Sequence, residues 1–121
     1  MDITIGEAII AQKAIEDVAT IKMPAKVSYR LGRINDKLMP IKTAYEKTRN
    51  DLVISKYGTP VEDKPDSFQV APDKLQDYLT EINSVLMTVE TIDAFQVAID
   101  DFGDVELPPE FFSAIKPFMV D

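Results

Sequence analysis

Five basic residues, Lys22, Lys26, Arg30, Arg33 and Lys37, follow one another at spacings of four, four, three and four. On a helix this spacing lines one edge with positive charge. Such a ridge can follow a phosphate backbone or hold an anionic ligand. It can equally be scaffolding, the aliphatic stems covering the helix while the charged ends pair with Glu16, Asp17, Asp36 or another acidic neighbour. Tyr29 falls beside the ridge and nearly opposite the apolar stripe of the same helix. It is therefore expected as an exposed aromatic, either a binding anchor or a side chain packed on the first helix. The candidate partner- or anion-binding set is thus Lys22, Lys26, Tyr29, Arg30, Arg33 and Lys37.

Other chemistry is poorly supplied. The chain has no His and no Cys, which removes imidazole bases, thiol nucleophiles and the two commonest transition-metal ligands. Serine and tyrosine nucleophiles have no base to activate them. Asp100, Asp101, Asp104 and Glu106 offer hard oxygen ligands around Gly103, but they lack the alternation and the closing bidentate Glu of a calcium loop. They read as a solvated turn. Gly32 belongs to no phosphate loop, and its expected role is to permit close helix packing. No catalytic residue, metal or cofactor is expected, and the chain is read as a non-enzyme.

The net charge of −8 is divided unevenly. Residues 1–57 carry ten Lys+Arg against seven Asp+Glu, a net +3, and residues 58–121 carry three against fourteen, a net −11. This asymmetry suggests two surfaces with different partners, or a basic half of one protomer meeting the acidic half of the next. A −11 half opposes nucleic-acid binding unless it faces away. At 121 residues the chain is expected to be a single domain, with a basic helical hairpin over 1–57 and an acidic half over 58–121. The first residues lack the pattern of a signal peptide, and no apolar run reaches the roughly 20 residues of a membrane span. A soluble, intracellular protein without membrane contact is the expectation.

The ridge must be carried by a long helix from Met23 to Tyr57. Val27, Leu31, Ile34, Leu38, Ile41, Tyr45 and Leu52 fall within a sector of roughly 80° at about 100° per residue. Pro40 predicts a kink rather than a break. A first helix from Ile5 to Ile21, opened by a capping box at Thr4 and Glu7, folds back on it, with Pro24 in the first turn after the bend. It is too short to cover residues 43–57, which must pack on the C-terminal region or on another chain. Gly58 ends the long helix as a glycine past the last turn. An exposed loop is expected over 61–67, a short strand at 68–70, and a third helix from Pro72 to residues 87–89. Residues 88–92 are expected to pair with 68–70 as a ribbon. A short helix at 110–115 follows, with Phe111, Phe112, Ile115 and Phe118 plugging the core or a partner groove. The fold class is α+β, mostly α.

Three stretches together resemble a family of small tailed-phage and prophage proteins of unknown function. They are Lys22-Met23-Pro24-Ala25-Lys26-Val27-Ser28-Tyr29-Arg30-Leu31, the helix end Lys56-Tyr57-Gly58, and Val105-Glu106-Leu107-Pro108-Pro109-Glu110 before an apolar helix with Pro117-Phe118. The resemblance implies a phage-encoded protein acting in the host bacterial cytoplasm or in the virion, and it carries over no catalytic residue. The expected function is a non-catalytic interaction protein that self-associates and binds a host or phage macromolecule. Two alternatives stand beside it. One is an inhibitor of a bacterial anti-phage defence system, acting by acidic mimicry or by sequestering an anionic nucleotide signal on Lys26, Arg30 and Arg33. The other is a structural or assembly component of the virion.

Overall fold

Thr4 sets the start of the first helix. Its hydroxyl accepts from the Glu7 amide at 3.1 Å, and the Glu7 carboxylate accepts from the Thr4 amide at 3.0 Å, so two free amides are satisfied reciprocally. The structure is a computed structural model that describes residues 1–120, leaving aside the side chains of residues 65 and 66. In it the cap joins strand β1 (Asp2–Thr4) to helix α1 (Ile5–Asp17). The helix stops four residues short of the expected Ile21. Val18 leaves helical geometry at φ −105°, ψ 8°, and the Ile21 amide closes a turn on the Val18 carbonyl at 3.0 Å. This tight turn starts the reversal while keeping Val18 in the core.

Helix α2 (Ala25–Leu52) begins one residue after Pro24, whose carbonyl accepts the Val27 and Ser28 amides at 3.0 and 3.1 Å. Pro24 is therefore the cap rather than a residue of the first turn. The helix runs without a break through Pro40. Its buried residues, Val27, Leu31, Ile34 and Leu38, meet Ala8, Ala11 and Ile15 of α1. Small alanines on one side and branched side chains on the other let the two helices interdigitate. Gly32 takes no part in that approach, since a Cβ built there would meet nothing within 4 Å.

α2 gives way to a π-helical segment, Val53–Tyr57. The wider winding carries the Val53 carbonyl back onto Gly58, where a Cβ would overlap its oxygen. Gly58 stands past the last turn, as expected, with an extended backbone at φ −98°, ψ 157°. It is needed because a carbonyl occupies the place of its side chain. From Gly58 the chain enters a hairpin of β2 (Gly58–Val61) and β3 (Lys64–Val70), with Pro60 opposite Phe68. This corrects two expectations. Residues 64–67 are strand rather than loop, and 68–70 pair with their sequence neighbour, since the local turn closes a far shorter loop. The expected exposure of the side chains at 65 and 66 lies outside the described ones.

A single 3₁₀ turn at Pro72–Lys74 leads into α3 (Leu75–Leu86). The expected strand at 88–92 is β4 (Val89–Thr91), and its partner is β1, with Asp2 opposite Thr91. β5 (Val97–Ala98), a 3₁₀ turn at Ile99–Phe102 and α4 (Pro109–Ala114) follow, and β6 (Met119–Val120) lies parallel to β5. Phe111, Ile115 and Phe118 are buried and Phe112 packs beside them. Phe102, Phe111 and Phe112 meet edge to face at centroid distances of 5.3 to 5.9 Å. The result is an α+β fold, mostly helical, whose core draws on both the basic and the acidic half. Asp121, the last residue of the acidic half, lies outside the described residues.

One polar cluster ties α3 to the π segment. Glu81 Oε1 accepts from the Tyr57 hydroxyl at 2.8 Å and from the Lys56 ammonium. Lys56 first, and Tyr57 second, hold the Glu81 carboxyl below its ordinary value of 4.5. The same bond raises the Tyr57 hydroxyl, because its proton is shared with a carboxylate.

Two outcomes are expected. Gly58→Ala forces the Val53 carbonyl away and should cost about 2 kcal/mol or more, read by chemical denaturation. For Glu81, a depressed folded value means stability that is present above the unfolded value and lost as pH falls through the folded one. Thermal melts of Glu81→Gln should therefore lie below those of the native chain at neutral pH, with the gap closing as pH falls below 4.5.

Candidate functional site

The basic ridge forms along α2, but its members have different occupations. Arg30 turns inward. Its Nη1 donates to the Gln96 carbonyl at 3.1 Å and lies 3.8 Å from Asp101 Oδ2. Asp101 Oδ2 in turn accepts the Ala98 amide at 2.9 Å. Arg30 thus anchors the segment before and after β5 and is only partly available to a ligand. Its acidic partner is Asp101, from the far half of the sequence, rather than Glu16, Asp17 or Asp36. Those first two carboxylates are taken by Lys42 at 3.8 Å and Lys13 at 2.9 Å.

One turn along, Arg33 and Tyr29 build an exposed cluster with a residue that sequence reasoning did not single out. Tyr29 and Phe95 meet edge to face at 6.2 Å between centroids. The Arg33 guanidinium lies over the Phe95 ring at 5.6 Å and donates to the Tyr29 hydroxyl at 3.4 Å. Tyr29 is 60 % exposed and Phe95 41 %. Each contact is worth about 0.5–1 kcal/mol at an exposed site, enough to bias rotamers without hiding the rings. Tyr29 is therefore an exposed aromatic, as expected, and it packs on Phe95 rather than on the first helix.

Phe95 lies between β4 and β5 in a stretch without regular structure, yet both ends are fixed. Ile92 exchanges two hydrogen bonds with Met1, its amide donating at 2.9 Å and its carbonyl accepting from the terminal ammonium at 2.7 Å. Gln96 is held by Arg30. The short span between them presents Phe95 to solvent in a defined place. No signal near Phe95 in sequence pointed to this, because its partners lie more than sixty positions away on α2.

Lys22, Lys26 and Lys37 stand on the same edge of α2 or just before it, all exposed. They add positive charge along the edge that carries Tyr29 and Arg33, with Asp36 on the same helix, and make no hydrogen bond to the cluster. Chemically the arrangement is a platform of two rings and a guanidinium within a cationic border. It can stack on a planar group, receive an apolar side chain, or face carboxylates and phosphates. It holds no nucleophile paired with a base. Among the described residues, no three Asp or Glu side chains converge as metal ligands would, and Asp101 is already engaged by Arg30 and the Ala98 amide. Nor is any helix among them long and apolar enough to cross a membrane.

Comparison of the chain with protein-family models, with curated proteins and with solved structures found no match.

Proposed function

We propose that the chain is a non-catalytic interaction protein, phage-encoded, that self-associates and docks a host or phage macromolecule on the Tyr29–Arg33–Phe95 platform. The observation that carries this reading is the exposed, mutually braced set of two aromatics and an arginine. Tyr and Arg dominate the energetically decisive positions of protein interfaces, where rigid aromatic area is desolvated at little entropic cost. The cationic border of Lys22, Lys26 and Lys37 favours an acidic partner surface and steers its approach. A protein partner fits better than nucleic acid, because the −11 half of the same small molecule repels phosphates. The phage origin, and with it action in the host cytoplasm or the virion, is supported by the resemblance over residues 22–31, 56–58 and 105–118.

Self-association is supported by a second face. Beyond Leu38 no residue of α2 is buried, and Ile41, Tyr45 and Leu52 are only partly covered. Beside that half, Leu75 and Leu79 of α3 are 47 % and 44 % exposed. Lys42 and Lys47 of that half are paired with Glu16, Glu46 and Asp51, which leaves Arg49 to face the acidic Asp73 and Asp77 that open the third helical region of a partner. A two-fold arrangement would set α2 of one protomer against α3 of its partner, basic against acidic, around an apolar centre.

Two measurements test the two parts separately. In affinity capture from infected cells, Tyr29→Ala should weaken the principal partner by about 2 kcal/mol, roughly thirtyfold, and Arg33→Glu should abolish its recovery. An unchanged partner list would reduce the platform to a surface feature. Recovery of nucleotide in place of protein would favour the anionic-signal reading. By light scattering at high micromolar concentration the native chain is expected as a dimer and Leu75→Glu/Leu79→Glu as a monomer. A monomeric native chain removes self-association and leaves the platform reading intact.

A further inference from the structure

The edge of a small sheet presents a row of backbone amides and carbonyls that another chain can pair with, and proteins usually blunt such edges. Three strands here are blunted. The Thr4 amide on the outer side of β1 is taken by Glu7, Pro60 stands in β2, and the Ala98 amide of β5 is held by Asp101. β4 has no such device: all three of its residues are exposed, and β1 is its one strand partner among the described residues.

The ladder fixes which groups of β4 lie on its free side. Ile92 exchanges both of its bonds with Met1, and the Ile5 amide donates to the Thr88 carbonyl at 2.9 Å. Bonded and non-bonded pairs alternate in an antiparallel ladder, so between these limits Ile3 and Glu90 turn their backbone groups toward each other. The amides and carbonyls of Val89 and Thr91 therefore point away from β1. The Thr91 hydroxyl turns back to Asp2 at 2.7 Å and leaves that edge clear. At one end of the edge Met87 and Val89 are 75 % and 57 % exposed, which gives it an apolar patch.

Charge selects what can pair there. Asp2, Glu90 and Asp93 belong to this ribbon or the residues just beyond it, and none of the three forms an ion pair among the described residues. A second copy paired along the same edge would bring Glu90 and Asp93 against like charges, which is unfavourable between neighbouring strands. A strand with basic side chains at those positions meets opposite ones. None of these residues belongs to the Tyr29–Arg33–Phe95 platform, and the charge preference is the reverse of the one there.

We infer that the free edge of β4 accepts an extended, basic segment of a partner protein as an added antiparallel strand, with basic side chains opposite Glu90 and Asp93 and an apolar one opposite Val89. The probe is the capped peptide Lys-Val-Thr-Lys-Val, whose threonine falls opposite Thr91. In isotope-labelled protein followed by NMR it should shift the Val89 and Thr91 amides saturably and slow their hydrogen exchange. N-methylation of the threonine removes a donor to the Thr91 carbonyl and should weaken binding about tenfold. N-methylation of the second lysine, whose amide points away, should leave affinity unchanged. Glu-Val-Thr-Glu-Val should bind about tenfold more weakly than the basic peptide. Thr91→Ala and Thr91→Pro both lose the hydroxyl bond to Asp2, but only the second loses the edge amide, which β1 does not use. Both should melt close to the native chain, and only Thr91→Pro should lose the peptide. Equal binding of the two N-methylated peptides, or of the acidic and basic ones, would overturn the inference. So would an absence of shifts at Val89 and Thr91 with millimolar peptide, or shifts confined to Tyr29 and Phe95. Slowed exchange at Thr91 that grows with protein concentration alone would assign the edge to a second copy and overturn it too.

Discussion

The seam between α1 and α2 is the constraint from which the rest of the structure follows, because its two sides differ in length. α1 has 13 residues and α2 has 28. At about 1.5 Å per residue the shorter helix reaches along less than half of the longer one. Where the two run together, Val27, Leu31, Ile34 and Leu38 are closed off on the other side by Phe102, Phe111, Ile115 and Phe118. Burial of each such side chain contributes about 1.5–3 kcal/mol, so this end carries the main store of stability. Beyond Leu38 the apolar stripe continues with thinner cover, supplied by α3, while the β2–β3 hairpin packs on the π segment. The molecule thus has a closed end and an open end along one helix.

Charge is arranged differently from apolar surface. Most ion pairs among the described residues lie within the basic half, as in Lys13–Asp17 and Lys47–Asp51, both exposed. Exposed pairs of this kind contribute little to stability. Two pairs join the halves: Arg30 with Asp101, and Lys56 with Glu81. Each fixes a place where the chain departs from regular helix, the first beside β5 and the second at the π segment. Their value is positional. The other carboxylates of the acidic half have no cationic partner among the described contacts, so its field is largely uncompensated and acts on what approaches.

Features that depend on neighbours along the chain were legible in the sequence. The Thr4–Glu7 box, the apolar stripe of α2, the proline at the start of the third helical region and the C-terminal aromatic plug all follow from local spacing and propensity. Features that depend on distant pairing were not. Val89–Thr91 looked like a strand, but nothing in it distinguished Asp2–Thr4 from Phe68–Val70 as its partner. Phe95 had no local mark of function, because what defines it is a ring and a guanidinium brought from α2. Gly58 was placed correctly at the helix end without the reason for it, and Gly32 was misread. Glycine reports that a Cβ is absent, and whether a carbonyl or empty space takes its place is a property of three dimensions. At Gly58 it is a carbonyl, and at Gly32 it is empty space.

Both outer strands pair with the same internal stretch, β1 with β4 and Met119–Val120 with Val97–Ala98. The Thr91 hydroxyl reaches back 89 positions to Asp2. On a ribosome, the α1–α2 hairpin is therefore complete long before its flanking strand has anything to pair with. Its apolar seam also waits for Phe111 and Phe118 to emerge. Loop closure over such distances slows folding and prolongs the exposure of unpaired edges. The arrival of Phe111 and Phe118 sets the moment at which the seam closes.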